Sequence, residues 1–243
     1  MRFACLVTGY PTNYTAEHYG DYSHLFKELL FQPGDLWDSF DAQSMELPQS
    51  PSQYDVFVIT GSAADAHADL PWIRALNDCI GLAFQEGVKI LGFCFGHQTV
   101  ANALGGRSGR NPSGWEAGLH TMELLPPFFQ QSYCLGIERL RLLEIHQDHV
   151  IEPPPQSTVL ASTPGTPVQI FAVGEQVLCM QGHPEFRSDM VRDLVVGRGE
   201  RGILTPDFVL ESLGTLDQEP DRNVVVELLE GFLGRPGETE PGV

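Results

Sequence analysis

Three short apolar runs, each closing on a glycine-bearing turn, constrain this chain most: "FACLVTG" (3–9), "YDVFVITGS" (54–62) and "VKILGF" (88–93). Each is too short for a buried helix and too uniformly apolar for a strand with one wet face. They read as strands covered on both sides. Between them lie segments of helical spacing: "SHLFKELLF" (23–31) closed by "PGD", and 70–87, with Pro71 near its start and Gly87 at its end. "LWDSFDA" (36–42) reads as a further strand and "GHQTVANALGG" (96–106) as a further helix. This alternation predicts an α/β fold: an open, doubly wound, mostly parallel sheet with helices on both faces.

After Gly105 the pattern changes. "HTMELLP" (120–126), "CLGIERLRLLEIH" (134–146), "VQIFAVG" (168–174) and "VLCMQGH" (177–183) read as strands joined by Pro- and Gly-rich turns, which adds a small antiparallel element. Helices are expected near 187–197 and 222–233. No repeat or linker divides the chain, so 1–235 is expected to form one domain and 236–243 a solvated tail.

The charge balance, 14 basic against 32 acidic residues, repels phosphate backbones and argues against nucleic acid as a partner. No run reaches spanning length, and the first ten residues lack a basic region followed by a long apolar core. Five scattered cysteines with no CxxC pair argue against a disulfide framework, and the expectation is a cytoplasmic protein.

One cysteine stands apart. Gly92-Phe93-Cys94-Phe95-Gly96 joins a predicted strand to a predicted helix. Two readings fit: a buried core thiol, the common fate of a free cysteine, or a nucleophile on a sharp elbow. In the second, the helix N-terminus favours the thiolate, and first-turn N–H groups, beginning with Phe95, are free for an oxyanion. A nucleophilic thiol needs an oriented base. "QGHPEF" (181–186) offers His183 with Glu185 two residues on, and Pro184 disfavours helical backbone at His183. His97 lies three residues past Cys94 without a carboxylate to orient it, so packing is its simpler role. "HQDHV" (146–150) carries His146, Asp148 and His149 but no third ligand at a recognisable metal spacing, and reads as a polar loop.

Together, "GFCFGHQ" and "QGHPEF", in this order, resemble the class I glutamine amidotransferase family, over residues 3 to about 196. The resemblance implies a triad of Cys94, His183 and Glu185 cleaving a γ-glutamyl amide through a thioester, with no cofactor and no metal. It places the oxyanion loop at Gly61-Ser62-Ala63, where most members carry Gly-Gly-Pro, with Phe95 as the second donor. It assigns Gln98 to holding the glutamyl substrate and places His146, Gln147 and Asp148 at its amino-acid end, largely through backbone. Segments 60–73 and 113–118 are similar to the plant γ-glutamyl peptidases that process glutathione conjugates. Three roles follow: a free-standing γ-glutamyl hydrolase, favoured because no residues remain for a synthase; a glutaminase subunit passing ammonia to a separate synthase partner; or a silent γ-glutamyl-binding module.

Overall fold

The computed structural model describes residues 1–134 and 136–235; the expected tail at 236–243 lies outside the described residues. The first half contains β1 (Arg2–Val7), α1 (Asn13–Tyr19), α2 (Tyr22–Leu30), β2 (Leu36–Asp41), β3 (Val56–Ile59), α3 (Pro71–Gln85), β4 (Lys89–Phe93) and α4 (Phe95–Ala103). Eight short strands follow: β5 (Arg107–Arg110), β6 (Glu116–Thr121), β7 (Glu123–Leu124), β8 (Arg141–His146), β9 (Asp148–Glu152), β10 (Thr158–Ser162), β11 (Ile170–Val173) and β12 (Val177–Met180). Three helices complete the order: α5 (Ser188–Glu200), α6 (Pro206–Thr215) and α7 (Arg222–Leu233).

The main sheet runs β2-β1-β3-β4-β12-β11-β10-β7. From β2 to β12 neighbouring strands are parallel; β11, β10 and β7 continue antiparallel. Alternation within β1 shows why the apolar runs are unbroken. Phe3 and Cys5 enter one core with Phe26 of α2 and Leu229 of α7, while Ala4 and Leu6 enter the other with Ile73 and Leu76 of α3. A strand with helices on both faces has no face left to be polar. β4 lies in the middle, between β3 and β12, so whatever follows Phe93 emerges at the centre of the sheet's C-terminal edge.

Two small antiparallel ribbons, β5 with β9 and β6 with β8, stand apart from the main sheet. Leu119, Leu143 and Ile145 of the second pack against Met190, Val191 and Val195 of α5.

The late segments depart from expectation. Of the described residues in 134–146 only Arg141–His146 are strand; Gly136 takes φ 79, and Cys134 and Leu140 are apolar because they fill the core rather than because they alternate. The expected strand at 120–126 is the junction of two: at Met122 the chain leaves β8, its partner in one ribbon, for β10 in the main sheet. Helix α1 fully buries only Thr15; α6 fully buries only Ser212, while its Phe208, Val209 and Leu213 pack half-buried against the α5 core, so neither carries a strong apolar signal. β5 ("RSGR") is polar throughout and exists only by pairing with β9. Among the described residues no helix is long and apolar enough to cross a membrane.

Candidate active site

Cys94 sits at the elbow between β4 and α4 with φ 52 and ψ −104, a conformation that side chains with a Cβ rarely adopt. Its N–H donates to the Met180 carbonyl at 2.9 Å, and that of Gly96 to Thr60 at 3.1 Å, which pins the turn to strands on either side. The flanking glycines are required by contact. A Cβ on Gly92 would lie 2.7 Å from the Gly96 carbonyl oxygen, and one on Gly96 would collide with the carbonyl of Ile59. Such backbone strain costs on the order of 1–3 kcal/mol and persists where the surroundings impose it. Cys94 is 6% exposed, yet it borders two cavities. Burial pushes up the thiols of Cys5, Cys79, Cys134 and Cys179, Cys5 and Cys134 to about 12 and Cys79 to about 11.

The loop after β12 brings His183 to this elbow. Its N–H donates to Leu143 of β8 at 2.9 Å, and its ring stacks on Phe186 at 4.1 Å, within 3° of parallel. Nδ1 donates to Glu185 Oε1 at 2.8 Å. A Cβ built on Gly61 would be 3.0 Å from His183 Cε1 and 3.7 Å from Cys94 Cβ, so this glycine fits between the two side chains. Nε2 is buried and makes no hydrogen bond. Burial acts to lower the pKa of His183, but the charge of Glu185 and then the nearby Cys94 sulfur outweigh it, and the imidazole is held well above its ordinary value.

Opposite lies the loop after β3. Thr8 Oγ1 donates to the Gly61 carbonyl at 3.1 Å. In a trans peptide the carbonyl and the following N–H point in opposite directions, so the Ser62 N–H is turned away from Thr8. Among the described residues neither the Ser62 nor the Phe95 N–H finds an acceptor.

The two cavities share Ser62, Ala63, Cys94, Ile145 and Arg198. The smaller, about 70 Å³, continues along Gln98, Arg110, Trp115 and the 146–148 turn. The larger, about 200 Å³, continues past His183 along Tyr10, Tyr22, Phe186 and Arg201. A still larger hollow, about 630 Å³ between Phe186 and Val224, does not reach Cys94.

The remaining predicted site residues all border the smaller cavity, but largely as its scaffold. Gln98 Nε2 donates to the Asp148 carbonyl at 2.9 Å and to Gln181 Oε1 at 3.0 Å. His146 Nδ1 donates to the same carbonyl at 2.9 Å, while Nε2 lies 3.2 Å from Glu116 and 3.3 Å from Glu144. Burial would lower His146, yet the two carboxylates raise it to about 10. Glu116 resists burial through His146, Thr163 and Thr166, and falls to about 2. Gln147 Oε1 accepts from Arg110 at 3.1 Å.

His97 is fully buried, packs against Phe171 with ring centroids 5.0 Å apart and planes tilted by 51°, and has no partner at either nitrogen; burial, with His146 nearby, pushes it down to about 3. It packs under the elbow, as expected of it.

Several neighbours had no linear signal. Asp65 and His67, from the loop before α3, meet Asp148 in a group of possible metal ligands. Arg110 is within 2.9 Å of Asp148 and 3.2 Å of Asp65, so a guanidinium already supplies the positive charge there. Glu116, Glu144 and Arg198 likewise gain meaning only from the ribbon β6–β8 and from α5.

A strained thiol facing a carboxylate-held imidazole, beside two free N–H groups, defines an α/β protein equipped for nucleophilic chemistry at a carbonyl. A family model described as "Glutamine amidotransferase class-I" matches residues 35–194, and the chain belongs to that family. It is 33% identical to Gamma-glutamyl peptidase 4 of Arabidopsis thaliana over 92% of each chain. It is 30% identical to a glutamine-hydrolyzing GMP synthase of Aeropyrum pernix, covering 69% of this chain but 31% of that protein. A glutamine amidotransferase structure from Thermotoga maritima matches 96% of this chain and 98% of its own with TM-score 0.72 at 20% identity, a likeness of fold.

Proposed function

We propose that this protein is a cysteine-dependent hydrolase of γ-glutamyl amide bonds. The observation that carries the reading is the position of Cys94 where two cavities meet, with His183 on one side only. The glutamyl group enters the smaller cavity, held by the 146–148 turn that Gln98 and His146 brace. Cys94 Sγ attacks the γ-carbonyl carbon while His183 Nε2 takes the thiol proton. The N–H groups of Ser62 and Phe95 receive the oxyanion; the donors are backbone, so serine in place of the second glycine keeps the function. Collapse breaks the C–N bond, and the proton on Nε2 passes to the departing amine. Water then attacks the γ-glutamyl thioester, giving a proton to His183, and glutamate leaves as the thiol re-forms. Glu185 fixes the tautomer and stabilises the imidazolium.

Likeness to γ-glutamyl peptidases along nearly the whole chain supports a peptide or conjugate as substrate. The cavity beyond His183, about 200 Å³, supports it too, since ammonia needs far less space. A second reading, a glutaminase subunit feeding ammonia to a separate synthase, is supported by the likeness to GMP synthase. Steady-state hydrolysis by the protein alone separates them. γ-Glutamyl dipeptides are expected to turn over faster than glutamine; glutamine turnover with inert dipeptides would overturn the hydrolase in favour of the ammonia donor.

A further inference from the structure

Arginines in this acidic chain are almost all neutralised. Among the described residues only Arg198, Arg201 and Arg222 lack a carboxylate within 4.0 Å. Against 32 acidic residues, leaving a guanidinium without such a partner is the exception. Two of the three border the cavity on the His183 side of Cys94.

Both are fixed to α5 by their own backbone contacts. Arg198 donates to the Leu194 carbonyl at 3.2 Å and lies over the Trp115 ring, 5.4 Å from its centroid. Arg201 uses Nε on the Gly197 carbonyl at 2.9 Å, which leaves its two terminal nitrogens free. They are close enough to repel, and partial burial together with Arg201 lowers the pKa of Arg198. Two cations held near each other without a counter-ion form a site for an anion. Tyr10, Tyr22, Phe186 and Leu194 add aromatic and aliphatic wall, with the small polar Thr12 and Ser62 beside them.

Direction identifies which half of the substrate meets them. The imidazole that protonates the departing amine borders this cavity and not the smaller one. The leaving group therefore departs along Arg201, with Arg198 at the junction of the two cavities. We infer that these two arginines form a leaving-group subsite selecting γ-glutamyl compounds whose amine portion carries a carboxylate and an apolar side chain, as an amino acid or peptide does. Glutamine, whose leaving group is ammonia, gains nothing from it. The inference rests on the hydrolase reading for the identity of the two halves.

Calorimetry on the Cys94→Ala protein tests the subsite without turnover, with γ-glutamylphenylalanine and its neutral C-terminal amide as probes. One charge-assisted contact predicts the acid to bind about 10- to 100-fold tighter. Adding Arg201→Gln, an exposed position that folding tolerates, is expected to bring the ratio to within about threefold. Equal affinity for acid and amide, no detectable binding of the acid, or a ratio untouched by Arg201→Gln overturns the subsite. Turnover of acid and amide at equal kcat/KM overturns it too while sparing the hydrolase. A preference for the acid that depends on Arg201, without hydrolysis by the wild type, keeps the subsite and overturns the hydrolase.

Discussion

His183 and His146 are both buried, both sit beside carboxylates and both have raised pKa values. They differ in what the second ring nitrogen does. His146 spends Nδ1 on the Asp148 carbonyl and holds Nε2 between Glu116 and Glu144. His183 spends Nδ1 on Glu185 and leaves Nε2 without a hydrogen bond beside Cys94. A raised pKa therefore does not by itself identify a base. In the hydrolase proposed above, the mark of the base is a nitrogen kept free, at the cost of burying it unpaired, beside the proposed nucleophile. His97 makes the third case, with no carboxylate, no partner and a lowered pKa.

Substitution at these two histidines should separate chemistry from scaffold. The largest effect is expected from His183→Asn, a loss of at least about 1,000-fold in kcat with the fold retained by circular dichroism. Activity within tenfold of wild type would remove His183 from the chemistry. Glu185→Gln comes next, lowering kcat by about 100-fold or more through the lost orientation of the ring, with KM little changed.

His146→Gln should act on stability first. It strands two buried carboxylates, at about 3–5 kcal/mol, or roughly 6–20 °C in Tm by calorimetry. That loss should depend on pH. The folded pKa of His146, about 10, lies above its ordinary 6.5, so its contribution is full below 6.5 and gone as pH rises through 10. Glu116, at about 2 against 4.5, contributes fully above 4.5 and loses its share as pH falls toward 2. The Tm gap between wild type and His146→Gln should thus be widest near pH 5–6 and close toward pH 10; a gap constant from pH 6 to 10 would show that His146 is neutral. The smallest effect belongs to His97→Phe, with kcat within a few-fold and Tm unchanged or slightly higher, because two unpaired buried nitrogens disappear.

The elbow was legible because its requirements are local. Gly92 and Gly96 must lack side chains where backbone approaches within contact distance, and Cys94 must follow a buried strand. The pairing of His183 with Glu185 was legible for the same reason, two residues apart across a proline. Gln98 and the 146–148 turn border the smaller cavity beside Cys94, yet their hydrogen bonds are spent on each other. Spacing cannot show this, because residues 98, 146, 148 and 181 meet only once α4, the ribbons and β12 are assembled.

The sequence by itself determined the parallel half of the sheet, the thiol on its central strand and the imidazole with its carboxylate. Those features follow from burial on both strand faces and from contacts within a few residues. Only the tertiary structure decided that Glu116 and Glu144 flank His146, that Asp65 and His67 meet Asp148, and that Arg198 and Arg201, at the end of α5, border one cavity with Cys94. Charges that pair across the fold leave no periodicity in the chain; their positions are set by which elements pack together, and proximity alone gives them their effect.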